Sequence, residues 1–175
     1  NAIIHKILPR SSIIKRQAVG QSGEIQIIAT NIDYAFIVQA VDRDSNINRL
    51  ERYLTICNAS RVTPVVVLTK TDLVDETRVS EIVNNIKART NDILIIAISN
   101  ETRKGYQSLE RTIQKGLSYC MLGSSGVGKS TLLNNLSGRT IMKTDAISQS
   151  TSKGRHTTSH RELIILDTGG ILIDN

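Results

Sequence analysis

Aromatic side chains are scarce in this chain: they make up 3% of its 175 residues, with no Trp and a single Phe. Stacking of bases on aromatic platforms is therefore argued against as a main binding mode. Cysteine is as sparse. Cys57 and Cys120 have no metal-ligand spacing and fall in apolar segments, so they read as buried, reduced thiols. His5, His156 and His160 form no ligand pattern. No apolar run approaches the roughly 20 residues of a membrane span, so a membrane partner is not expected. A signal peptide is missing too, because "NAIIHKILPRSS" offers no small-residue cleavage site after an apolar run. These absences suit a cytoplasmic protein. The chain does not begin with Met, and its numbering reads as starting inside a longer protein. No internal repeat or low-complexity tract is found.

What is present is a foldable composition. Hydrophobic residues make up 39%, and the length suffices for one full α/β domain with a real core. The net charge is +6. The excess is uneven: Lys6, Arg10, Lys15 and Arg16 stand without an acid in 1–23, and Arg139, Lys143, Lys153, Arg155 and Arg161 face only Asp145 in 139–161. Such clusters permit a polyanionic partner. Solvated faces, or neutralisation of a bound nucleotide, are the plainer alternatives.

The chain opens with short β-branched stretches at 2–8, 12–16 and 24–30, which read as strands or extended segments. From residue 34 the rhythm changes. "YAFIVQAV" (34–41), "VVVL" (65–68), "ILIIAI" (93–98) and "LSYCML" (117–122) are continuous apolar runs, as expected of strands buried on both faces. Helical spacing predicts helices over 46–59, 77–89 and 106–116, and another opens at Lys129. "ELIIL" (162–166) and "ILID" (171–174) read as strands around the turn "DTGG". Alternation of this kind predicts a mostly parallel α/β sheet with helices on both faces, ligands binding at the strands' carboxyl ends. The loop 144–157 is polar and lacks a core pattern.

The strongest motif is "GSSGVGKST", Gly123 to Thr131, which satisfies Gly-x-x-x-x-Gly-Lys-Ser between an apolar strand and a helix. In such a P-loop, the backbone of Gly123, Ser124, Ser125, Gly126, Val127 and Gly128 cradles phosphate oxygens. Lys129 reaches the β- and γ-phosphates, Ser130 offers a hydroxyl to Mg²⁺, and the helix through Thr131 adds its positive dipole end. A second motif, "TKTD" (69–72), ends the strand "VVVL". A carboxylate at Asp72 can accept from both N1–H and N2–H₂ of guanine, a donor pair adenine lacks. The stem of Lys70 can lie across the base, with Thr69 and Thr71 completing the turn. The segment at Ser99, ending "AIS", can offer a backbone N–H to guanine O6. The base-reading motifs thus precede the phosphate loop, a circular permutation that a sheet tolerates when chain ends move to exposed loops.

This order, together with "IATNID" (28–33), "LERYL" (50–54), "GRHTT" (154–158) and "GGILID" (169–174), resembles the ribosome small subunit-dependent GTPase A family, RsgA. The resemblance covers nearly the whole chain, and "GRHTT" is its most diagnostic part. It implies Mg²⁺-dependent hydrolysis of GTP to GDP, coupled to late maturation of the small ribosomal subunit and contact with its rRNA, by a monomer. It also implies an OB-fold before the GTPase domain, of which 1–30 holds at most the end with its linker, and a zinc-binding subdomain after it. Residues 31–175 then form the permuted GTPase domain, ending at the second switch, with no zinc ligands. Thr69 stands where the family usually has Asn. In the first switch, Thr158 matches the Mg²⁺-binding and γ-phosphate-binding threonine better than Thr157. His156 is the candidate to align the attacking water, since no Gln takes the Ras-like role. "DTGG" (167–170) fits Asp-x-x-Gly, but family order makes it a hairpin and assigns the switch carboxylate to Asp174. The rival readings are a GTP-gated RNA-binding assembly module with negligible turnover, a permuted GTPase of the large subunit, which "GRHTT" argues against, and an ATPase, which Asp72 argues against.

Overall fold

In the computed structural model, residues 3–7, 9–17, 25–42, 46–90, 92–139 and 163–173 are described. Strands β1 (Ile13–Gln17) and β2 (Ile25–Thr30) pair antiparallel, with a bulge at Ile14/Lys15. Residues 3–7 lie in no strand. Their β-branched composition suits a strand, but Ile3, Ile4 and Ile7 are almost wholly exposed. Composition alone supplies neither ladder partners nor a covered face.

The main sheet follows. Its strands are β3 (Tyr34–Ala40), β4 (Thr63–Thr69), β5 (Leu94–Ala97), β6 (Ser118–Leu122), β7 (Leu163–Ile165) and β8 (Ile171–Ile173). They run in the order β5-β4-β3-β6-β8-β7. Neighbours are parallel except for the antiparallel β7–β8 hairpin at one edge. Strand pleating sends alternate residues to opposite faces. Phe36, Val38, Val65, Val67, Tyr119 and Met121 therefore join one buried cluster, and Ala35, Ile37, Val66, Leu68, Cys120 and Leu122 join the other.

Helices cover both clusters. α1 (Ile47–Ala59) and α2 (Glu76–Lys87) bring Leu50, Leu54, Ile82 and Ile86 to the second, where Ile14 and Ala29 also pack. α3 (Tyr106–Thr112) and α4 (Lys129–Ser137) bring Leu109, Leu132 and Leu133 to the first. Burying each such side chain contributes about 1.5–3 kcal/mol before entropy is counted. Two starts are capped locally. Asn46 accepts from Arg49 N at 3.1 Å, and Asp75 accepts from Arg78 N at 2.7 Å.

α3 is shorter than the expected 106–116. The buried phenol of Tyr119, on β6, donates to Thr112 O (2.9 Å) and accepts from Gln114 N (2.9 Å). These are backbone groups that further helical turns would use, so a tertiary contact ends the helix.

Candidate nucleotide site

β3, β4, β5 and β6 end on the same side of the sheet, and the loops leaving them meet there. β6 runs directly into the phosphate loop, whose last glycine, Gly128, is the N-cap of α4. Close approach explains two glycines. An added Cβ at Gly123 would run into the Val38 carbonyl, and one at Gly128 (φ 91°) would lie 2.7 Å from Asn100 Nδ2. Lys129 folds back over the loop, its Nζ donating to Gly123 O (2.9 Å) and Ser124 O (2.6 Å). The ammonium is thus held against the loop's first residues, beside its backbone N–H groups. Ser130 and Thr131 occupy the first turn of α4.

The "TKTD" stretch lies against this loop. Thr69 ends β4 fully buried, and its Oγ1 donates to Val127 O at 2.6 Å, with Gln39 O at 3.4 Å. Lys70 takes a left-handed conformation (φ 61°, ψ 33°), which turns the chain sharply out of the strand. Its Nζ pairs with Asp42 Oδ2 at 2.9 Å, just past the end of β3. Thr71 N donates to Ile98 O at 3.3 Å and so ties this turn to the loop after β5. Asp72, in the short 3-10 turn Thr71–Leu73, is exposed, and its Oδ1 accepts from Ser99 Oγ at 2.5 Å. Thr102 N in turn donates to Ser99 Oγ (3.0 Å). The carboxylate is fixed in direction while its residue stays open to solvent.

Several polar residues join the site that the sequence did not single out. Arg49, on the first turn of α1, donates from Nη1 to Ser124 Oγ at 2.9 Å. Asn100 Nδ2 donates to Gly128 O (3.0 Å), and Asn100 Oδ1 accepts from Tyr106 OH (2.7 Å). Asn135, on α4, donates to Asn100 O (3.0 Å) and Tyr106 OH (2.8 Å). The signal available for Asn100 was its position directly after Ser99. Arg49, Asp42 and Asn135 carried none, since each meets its partner only through the fold.

Not every proposed residue is brought together. His156, Thr158 and Asp174 lie outside the described residues. Asp167 sits in the β7–β8 turn, where Leu166 N donates to Gly170 O (2.9 Å) and Gly169 N to Leu166 O (2.8 Å). That turn precedes β8, whose first residue pairs with Ser118 at the start of β6, at the end of the sheet away from the phosphate loop. Among the described residues, no group of three or more His, Cys, Asp or Glu could hold a metal ion. The Ser130 hydroxyl is a hard oxygen donor of the kind Mg²⁺ takes alongside phosphate oxygens.

A mostly parallel sheet with a phosphate loop after a central strand, and the "TKTD" turn docked on it from earlier in the chain, defines a circularly permuted P-loop fold. Known proteins place it further. The family model described as RsgA GTPase matches residues 7–175, so the chain belongs to that family. It is 42% identical over 171 residues to the small ribosomal subunit biogenesis GTPase RsgA of Opitutus terrae, covering 98% of this chain and 46% of that protein. A protein of the same name from Methanosarcina acetivorans is 42% identical over 173 residues, covering 99% and 46%. The chain thus spans about half the length of the curated relatives it matches. Among solved structures, YjeQ from Thermotoga maritima aligns with a TM-score of 0.69 at 23% identity, covering 97% of this chain and 53% of that one. YloQ, described as a circularly permuted GTPase, aligns with a TM-score of 0.59 at 23% identity, covering 98% and 58%. At that identity the two structures speak for the fold.

Proposed function

We propose that this chain is the nucleotide-binding part of a Mg²⁺-dependent GTPase that assists late maturation of the small ribosomal subunit. The observation that carries the reading is the docking of the base-facing turn on the phosphate loop, through Thr69 Oγ1 to Val127 O at 2.6 Å. It places a carboxylate suited to guanine beside a loop suited to phosphates. Asp72 reads the base, with Lys70 along its face and Thr71 in the turn; Ser99 enters through its hydroxyl on Asp72 rather than as a backbone donor, since its N–H is taken by Lys104 O at 3.0 Å. The loop from Gly123 to Gly128 holds the phosphates with Lys129 and Thr131. Ser130, Thr158 and Asp174 serve Mg²⁺, which supplies charge stabilisation on the transferring phosphoryl group. His156 aligns the attacking water. Residues 1–30 are read as the end of a preceding domain and its linker; their β1–β2 pair forms its own small sheet but packs Ile14 and Ala29 into the main core. Among the described residues, no helix is long and apolar enough to cross a membrane.

The partner reading rests on relatives whose name includes the small ribosomal subunit, and on the basic cluster at 139–161. The test is GTP and ATP turnover by the full-length protein, with and without purified small subunits. GTP hydrolysis should be slow alone, strongly stimulated by small subunits, and less so as salt is added. His156→Ala should lose the stimulated rate and keep nucleotide binding. If small subunits leave the rate unchanged, a GTP-gated RNA-binding module with negligible turnover is the better account. Equal use of ATP would remove the guanine assignment.

A further inference from the structure

Ser99 and Asn100 are neighbours in the chain, yet their side chains serve opposite halves of the site. Ser99 holds Asp72 on the base side. Asn100 holds the Gly128 carbonyl at the end of the phosphate loop. That carbonyl also accepts from Leu132 N at 2.9 Å, the opening hydrogen bond of α4. Asn100 therefore touches the point where the loop becomes the helix carrying Lys129 and Ser130.

The amide has one usable orientation. An amide presents donors on nitrogen and an acceptor on oxygen. Gly128 O needs the nitrogen, and the Tyr106 hydroxyl, donating at 2.7 Å, needs the oxygen. Tyr106 is almost fully buried, burial pushes its phenol up, and so its proton stays available for donation. Asn135 locks the arrangement from α4 by donating both to Tyr106 OH and to Asn100 O. Gly128 has φ 91°, which strains any larger residue, and an added Cβ would meet Asn100 Nδ2 at 2.7 Å and displace the amide.

We propose that Asn100 is a positioning residue that couples the two ends of the bound nucleotide, joining the loop that faces the base to the loop that faces the β-phosphate. A guanine seated on Asp72 orders the segment 99–105, and Asn100 passes that order to Gly128 and the start of α4. A β-phosphate on the loop acts back through the same bond, as coupling between sites requires. The inference rests on the nucleotide reading of the site.

Titration of the full-length protein with GDP, GMP and ADP tests it, because GMP keeps the base and lacks the β-phosphate. Asn100→Ala should weaken GDP about ten-fold, the size of one lost hydrogen bond, and GMP less than about two-fold. Asn100→Asp, nearly the same in volume but without the donor, should match or exceed that loss on GDP. Tyr106→Phe removes only the hydroxyl that orients the amide, and should weaken GDP about three-fold with GMP again spared. It keeps the aromatic packing, so it decides the matter even if the Asn100 variants fold poorly. Equal losses on GDP and GMP, or no loss on either, would overturn the coupling. A wild-type protein that binds GDP no better than ADP would instead sink the guanine reading of the site.

Discussion

At the amino ends of the central strands, Asp33 and Ser118 close on each other. Ser118 N and Oγ both donate to Asp33 Oδ2 at 2.8 Å, and Asp33 N donates to Ser118 O at 3.0 Å. Ser118 Oγ lies 2.6 Å from Asn31 O, and Thr63 N donates to Asp33 O at 2.9 Å. The bonds form a reciprocal knot across β6, β3 and β4. At the carboxyl ends the bonds run from loop to loop in sequence: Ser99 to Asp72, Asn100 to Gly128, Thr69 to Val127. A reciprocal knot satisfies its own members and fixes strand register. The carboxyl-end bonds instead tie three separate loops to one another pairwise, which fixes loops rather than strand register. Equivalent hydrogen-bond chemistry fixes strands at one end and loops at the other.

The sharpest way to break this contrast is Asp72→Asn. It should weaken GTP binding by up to about 100-fold and improve XTP binding, since a mismatched buried donor–acceptor pair costs roughly 1–3 kcal/mol. Unfolding stability should hardly move. Unchanged GTP affinity by calorimetry would take Asp72 out of the base site.

Next comes a pair of aspartates on either side of β8 in the sequence. Asp174→Ala should lower Mg²⁺-dependent GTP turnover at least about ten-fold in the full-length protein, because a metal contact supports several kcal/mol of charge stabilisation. Asp167→Ala, in the hairpin turn, should be nearly neutral. The reverse ranking would make "DTGG" the switch.

Asp33→Ala probes the knot. It strips the partner from Ser118 N and should cost about 1–2 kcal/mol, a fall in Tm of roughly 2–8 °C for a domain of this size. The GTP/ATP preference should not change. A shift in that preference would mean that the two ends communicate.

The smallest effect lies between the ends. Burial pushes the Cys57 thiol from its ordinary 9.0 up to about 11, and the Cys120 thiol up to about 12. The folded state keeps those protons longer than the unfolded chain does. Their contribution is therefore complete below pH 9 and is lost as pH rises towards 11. Denaturant melts at pH 8 and pH 10.5 should show this fall, and Cys57→Ala should reduce it to the part due to Cys120. Equal slopes would mean that the buried thiol is not what titrates.

Much of this was legible in the residues themselves. β3, β4 and β6 announce themselves because strands buried on both faces must be apolar throughout. The phosphate loop is readable because close backbone approach demands glycine at Gly123 and Gly128, and the fold places "TKTD" at a strand's carboxyl end. The misses share another cause. α3 stops where Tyr119 intercepts its backbone, and that hydroxyl comes from a strand not yet folded when the helix is read locally. Asp42 with Lys70, Arg49 with Ser124, and Asn100 with Gly128 are side-chain meetings across distant segments. An amide or guanidinium has no sequence period that reports its partner. Residues 3–7 show the converse, a strand-like composition with no neighbour to pair with.

The position of β6 has a consequence for how the molecule is made. It pairs with β3 on one side and β8 on the other, so the middle of the sheet is among its later parts to be synthesised. During translation, β3, β4 and β5 with α1 and α2 emerge first and can assemble as a parallel fragment. That fragment keeps one edge of β3 open, with Phe36 and Val38 lacking their cover from β6 and α4. Parallel pairing over so long a separation is slow, because loop closure precedes any gain from contact. The base-facing turn thus takes shape at the rim of an unfinished sheet. The strand bearing the phosphate loop then enters beside β3, and the later hairpin of β7 and β8, with Leu166 and Leu172, closes the core.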